Sequence, residues 1–138
     1  MPYRISIIED DPTIRSELQM LLTGNHYDVH TVSDFSNTVQ QIIEQNPHLI
    51  LLDIRLPQEN GFSLCSKIRS FSNAPIIFVT SCNTDLDKLN SILLGGDAFI
   101  TKPYHTAILL AKIASLLQRA YPQTEQEILT YQGVILHF

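Results

Sequence analysis

The chain has 138 residues, 44% of them hydrophobic, with a formal charge of −5 and a pI near 5.4. That length suits one compact domain plus a short extension, and the hydrophobic share is enough for a layered core. No basic surface invites nucleic acid and no apolar stretch is long enough to span a bilayer; Met1-Pro2-Tyr3-Arg4 leads directly into a strand, so the chain reads as cytoplasmic.

Short apolar runs alternate with helical patterns five times. Arg4 to Ile8 reads as a strand, after which Asp11-Pro12 supplies a cap and a first-turn proline. Ile14, Leu18, Leu21 and Leu22 follow at helical spacing until Gly24-Asn25. Tyr27 to Val32 alternates as a half-exposed edge strand would. Phe35, Val39, Ile42 and Ile43 mark a second helix that ends near Gln45-Asn46-Pro47. Leu49 to Asp53 is solidly apolar up to its final residue, which predicts a central strand.

The turn from Leu56 to Gly61 precedes a helix with Phe62, Leu64, Cys65 and Ile68. Pro75 to Thr80 is another buried strand. Thr84 and Asp87 form a capping-box start for a helix carrying Leu86, Leu89, Ile92 and Leu93, ended by Gly95-Gly96. Asp97 to Ile100 makes the fifth strand, and the last helix runs from about Thr106 to Arg119 with Leu109, Ile113 and Leu116 on one stripe. Cys65 and Cys82 lack metal-ligand spacing and read as buried or partly buried thiols rather than a disulfide.

This alternation predicts an α/β fold, a three-layer (βα)5 doubly wound parallel sheet. Five units are too few for a closed eight-fold barrel. Right-handed crossovers and an edge-like second strand favour the strand order 2-1-3-4-5. Residues 1–120 would form this domain and residues 121–127 a linker. Residues 128–138 cannot bury themselves alone, and read as the opening strands of a second domain that the chain lacks, or as a packed extension.

The chemistry gathers at the strand ends. Glu9 and Asp10 close the first run, Asp53 the third and Thr80 the fourth, while Lys102 follows the fifth. Open α/β sheets place ligands at the carboxyl ends of their strands, beside the switch point between strands one and three. Each residue alone has an ordinary explanation as a cap, a turn starter or a surface lysine. Together they define a pocket. Glu9, Asp10 and Asp53 supply hard oxygens of the kind Mg²⁺ takes, and without a cation they would repel one another. With the metal sharing charge on the transferred oxygens, Asp53 can act as a nucleophile towards a phosphoryl group. Lys102 adds a positive point charge and Thr80 a donor hydroxyl.

Four segments carry a resemblance: Ile7-Ile8-Glu9-Asp10-Asp11-Pro12, Leu51-Leu52-Asp53-Ile54-Arg55-Leu56-Pro57 with Asn60-Gly61, Pro75 to Ser81, and Gly95 to Tyr104. From Tyr3 to about Arg119 the chain resembles a response-regulator receiver domain, CheY-like in fold. The resemblance implies that Asp53 accepts a phosphoryl group from a sensor histidine kinase. It implies Mg²⁺ held by Glu9, Asp10, Asp53 and the backbone carbonyl of Arg55. It makes Thr80 the switch hydroxyl, Phe99 the rotating aromatic and Lys102 the phosphate partner, with a cis Lys102-Pro103 bond.

Residues 128–138 resemble the first strands of the winged-helix output domain that follows receivers of the OmpR/PhoB type, so DNA contact would belong to that absent domain. Members of that group form homodimers through the fourth helix, fifth strand and fifth helix. Asp97 and Arg119 stand where one charged pair is expected. Asn90, Ala98 and Ile108 stand where charges are usual, and Ile108 makes the face more apolar.

Two other classes compete. A phosphatase or phosphotransferase with an aspartyl nucleophile, of haloacid-dehalogenase type, would need a second Asp where Arg55 stands. A flavodoxin-like FMN binder would need a glycine-rich or hydroxyl-rich loop where Glu9-Asp10-Asp11-Pro12 would repel phosphate. A switch that is not a turnover enzyme is the expectation.

Overall fold

The computed structural model describes residues 2–122; the final part of the expected linker and all of the expected output-domain segment lie outside them. In chain order the elements are β1 (Arg4–Ile8), α1 (Pro12–Gly24), β2 (Asp28–Thr31), α2 (Thr38–Gln45), β3 (Leu49–Leu52), α3 (Gly61–Arg69), β4 (Ile76–Thr80), α4 (Asp85–Leu93), β5 (Ala98–Thr101) and α5 (Thr106–Ala120). Phe35 does not join α2; it opens a separate 3-10 turn over Phe35–Asn37, which Asp34 caps by accepting the Ser36 amide.

All five strands are parallel, in the order β2-β1-β3-β4-β5. The expected topology is therefore the observed one. Side chains alternate across the central strands. Ile5, Ile7, Leu49, Leu51, Ile77 and Val79 face a layer built by α1 and α5, with Leu18, Leu22, Leu109 and Ile113. Ile8, Ile50, Leu52, Ile76 and Phe78 face the opposite layer, with Ile42 of α2 and Leu64, Cys65 and Ile68 of α3. The central strands are apolar on both faces because helices cover both.

Caps place the helices. Asp11 receives the Thr13 and Ile14 amides, Asn60 receives that of Ser63, and Thr84 with Asp87 closes the capping box. The apolar residues that mark α4 face solvent: Leu86 is 64% exposed, Ile92 70% and Leu93 69%, while Ser91 is the buried position of that helix. No described helix is long and apolar enough to cross a membrane. Both cysteines are free, Cys65 buried and Cys82 half-buried.

At the rim opposite the strands' carboxyl ends, Tyr3, His48 and Tyr121 pack edge to face, with ring centroids 5.2 and 5.3 Å from the imidazole. His48 Nδ1 accepts the Arg4 amide at 2.8 Å, and the Tyr121 hydroxyl donates to the His48 carbonyl at 2.8 Å.

Candidate functional site

Parallel pairing brings Ile8 alongside Leu52, so the residues that follow them emerge together at one rim. Asp53 N–H donates back to the Ile8 carbonyl at 3.0 Å, holding Asp53 beside Glu9. The next turn folds tightly enough that Gly61 N–H donates to the Ile54 carbonyl at 2.7 Å. A Cβ at Gly61 would run into the Asp53 carbonyl oxygen, so only glycine fits this close approach.

Carboxylate oxygens of Glu9, Asp10 and Asp53 all lie within 4.8 Å of one another. Glu9 and Asp53 are buried and Asp10 is exposed, which leaves the cluster open to solvent on one side. Lys102 reaches in from the end of β5. Its Nζ donates to Glu9 Oε1 at 2.5 Å and to Asp53 Oδ2 at 3.0 Å, while its backbone N–H donates to the Thr80 carbonyl at 2.8 Å. Asp53 Oδ1 accepts the amides of Ile54 at 2.7 Å and Arg55 at 3.4 Å. Glu9 Oε2 accepts the Asp11 amide at 3.1 Å.

Electrostatics follow from this burial. Burial pushes the Glu9 carboxyl above its ordinary value, against the pull of the Lys102 ammonium and the Asp11 amide. For Lys102 burial alone would lower the value, but hydrogen bonds to Glu9 and Asp53 outweigh it and the net direction is up. The ammonium therefore stays charged between two carboxylates. Converging carboxylate oxygens, one of them facing water, fit a small hard cation that keeps part of its hydration. The gap between Glu9 and Asp53 already suits a positive group, since Lys102 Nζ lies in it.

Thr80 is fully buried, and its Oγ1 accepts the Cys82 amide at 3.2 Å. Phe99 is half-buried and packs against Phe78 with ring centroids 6.3 Å apart. The Lys102-Pro103 bond is cis. Arg55 belongs to the loop after β3, where its amide donates to Asp53 Oδ1.

Two arrangements had no signal in the sequence. Arg15, on the first turn of α1, donates to the Glu9 carbonyl at 2.9 Å and so anchors the acidic loop. Asp97 is engaged within the chain: its Oδ2 accepts from Arg69 and from the Ile76 amide, each at 2.8 Å. Arg69 also donates to the carbonyls of Gly95, Ser72 and Ala74, so the pair ties α3 to the ends of β4 and β5. Arg119 donates weakly to Ser115 one turn earlier, at 3.5 Å.

A five-stranded sheet in this order, with three acids and a lysine gathered at its carboxyl rim, matches a known family: the response regulator receiver domain family aligns with residues 5–114. The chain belongs to that family. It is 40% identical over 125 residues to the sensory transduction protein BceR of Halalkalibacterium halodurans, covering 91% of this chain and 54% of the relative. Among solved structures, the N-terminal domain of the nisin resistance regulator NsrR, a lantibiotic response regulator, superposes with a TM-score of 0.78 at 43% identity, covering 85% of this chain and 99% of that one. The BeF3-activated receiver domain of Klebsiella pneumoniae RstA gives a TM-score of 0.80 at 30% identity, covering 83% and 98%. The chain spans about half the length of the curated relatives it matches.

Proposed function

We propose that this chain is the phosphoryl-accepting receiver of a two-component response regulator, taking the group from the phosphohistidine of a sensor kinase onto Asp53. The observation that carries the reading is the convergence of Glu9, Asp10 and Asp53 with Lys102 Nζ between two of them. Glu9, Asp10, Asp53 and the Arg55 carbonyl would hold Mg²⁺, which when bound shares the charge on the transferred oxygens. Two backbone amides fix Asp53 Oδ1. That leaves Oδ2 to bond phosphorus as the donor's P–N bond breaks and the imidazole keeps the electron pair. Lys102, 3.0 Å from Oδ2, offsets the incoming negative charge.

The phosphoryl group adds charge and three acceptor oxygens, which favours inward movement of Thr80 and Lys102. Space then opens for Phe99, and the α4-β5-α5 face changes. Homodimerisation through that face is supported by exposed Leu86, Leu89, Ile92, Leu93 and Ile108. Because Asp97 is engaged by Arg69, we assign the recognition to these apolar side chains rather than to an Asp97–Arg119 pair. DNA contact is assigned to an output domain beyond the described residues, given a net charge of −5, and the cytoplasm is the compartment that suits a kinase-fed switch.

The chain is proposed to stop at the adduct rather than turn over, since Arg55 stands where an aspartyl phosphatase needs a second carboxylate. Incubation with Mg²⁺ and acetyl phosphate tests this by intact mass. One phosphoryl adduct on the wild type and none on Asp53→Asn is the expected result. Unmodified wild type, or rapid release of many phosphates per chain, would overturn it.

A further inference from the structure

Two hydrogen bonds at the site come from the backbone amides of residues whose side chains touch each other. Arg55 N–H donates to Asp53 Oδ1 at 3.4 Å, and Cys82 N–H donates to Thr80 Oγ1 at 3.2 Å. Arg55 Nε–H in turn donates to Cys82 Sγ at 3.1 Å. Arg55 lies in the loop after β3 and Cys82 in the loop after β4. One side-chain contact therefore spans the crevice, joining the loop that carries Asp53 to the loop that carries Thr80. Arg55 is exposed, and Cys82 is half-buried at the margin of the core on the α2 and α3 side of the sheet.

We propose that the Arg55–Cys82 contact is a latch that holds the β4–α4 loop, and Thr80 with it, in the position of the unphosphorylated chain. Both are positioning residues: they act through the amides that bind Asp53 and Thr80. The proposal rests on the phosphoacceptor reading above. Thr80 can move towards oxygens arriving at Asp53 Oδ2 with the Cys82 amide still bound only if Cys82 moves with it, and that movement breaks the sulfur contact. A thiol sulfur is a weak acceptor, so the contact biases the loop without locking it. A ligand that needs the displaced loop binds with an affinity reduced by the fraction of chains already displaced. Releasing the latch raises that fraction.

The test is a double-mutant cycle on beryllofluoride binding in saturating Mg²⁺, followed by fluorine NMR. Cys82→Ala is expected to tighten binding roughly three- to tenfold, the range that loss of one modest hydrogen bond produces. Cys82→Ser, whose hydroxyl still accepts from Arg55, is expected to stay near wild type. In an Arg55→Ala background, Cys82→Ala should add nothing further. Wild-type affinity in Cys82→Ala, or an undiminished effect of it in the Arg55→Ala background, would overturn the latch. If the wild type takes up no beryllofluoride, the phosphoacceptor reading fails and the latch is decided by hydrogen exchange on the ligand-free chain. Faster exchange of the loop amides in both single variants supports it, and unchanged protection overturns it.

Discussion

At the scale of single residues, the decisive contact is one ammonium shared by two buried carboxylates. Glu9, Asp53 and Lys102 satisfy one another, and removing the lysine leaves two like charges in a poorly hydrated gap. Lys102→Met should therefore cost about 3 kcal/mol of folding stability in EDTA. Added Mg²⁺ should recover more stability in this variant than in the wild type, because the metal no longer competes with an ammonium. Urea midpoints with and without Mg²⁺ measure both, and equal recovery in the two proteins would count against a cation site at this cluster. These residues were legible in the sequence because each closes or follows an apolar run, and a parallel sheet sends all such ends to one rim. The grip of Arg15 on the Glu9 carbonyl was not, since periodicity says nothing of which way an arginine on an exposed first turn reaches. The capture of Asp97 by Arg69 was equally hidden, because the partners lie 28 residues apart on different layers.

At the scale of elements, α4 separates two things that sequence patterns run together. Leu86, Leu89, Ile92 and Leu93 at helical spacing mark a helix correctly, yet they do not mark a face turned to the core. The helix lies over β5, the edge strand of the described sheet, and its outer side carries the exposed leucines and isoleucine. Apolar spacing reveals the period; it does not reveal whether a neighbour exists. The same limit explains Phe35, whose apolar side chain suits the second helix but whose backbone stops short of it in a 3-10 turn. Leu89 is 51% exposed, so Leu89→Glu should leave monomer stability within about 0.5 kcal/mol. If α4 is the association face, that substitution should weaken beryllofluoride-induced dimerisation by about tenfold or more. Sedimentation velocity distinguishes this from a face that plays no part, for which dimerisation would be unaltered.

At the scale of the whole molecule, topology and order of strands were legible because five apolar runs separated by helical spacing leave few right-handed arrangements. The aromatic packing around His48 was not, since it joins Tyr3, His48 and Tyr121, which lie far apart in the sequence. Burial holds the His48 imidazole below its ordinary value, helped by nearby Arg4 and opposed by Asp28. Below about pH 6.5 the unfolded chain then takes up a proton that the folded chain refuses, so stability falls with falling pH until the folded ring also protonates. Urea midpoints should drop between about pH 7.5 and 5.5, and His48→Gln should flatten that slope. The bonding of Tyr121 to His48 and its packing on Tyr3 fasten the close of α5 to the amino-terminal margin of the sheet, while the acids crown the other margin. Five residues of β1 span roughly 17 Å between those margins. The close of α5 and the acidic cluster therefore stand a strand's length apart, at opposite poles of the sheet.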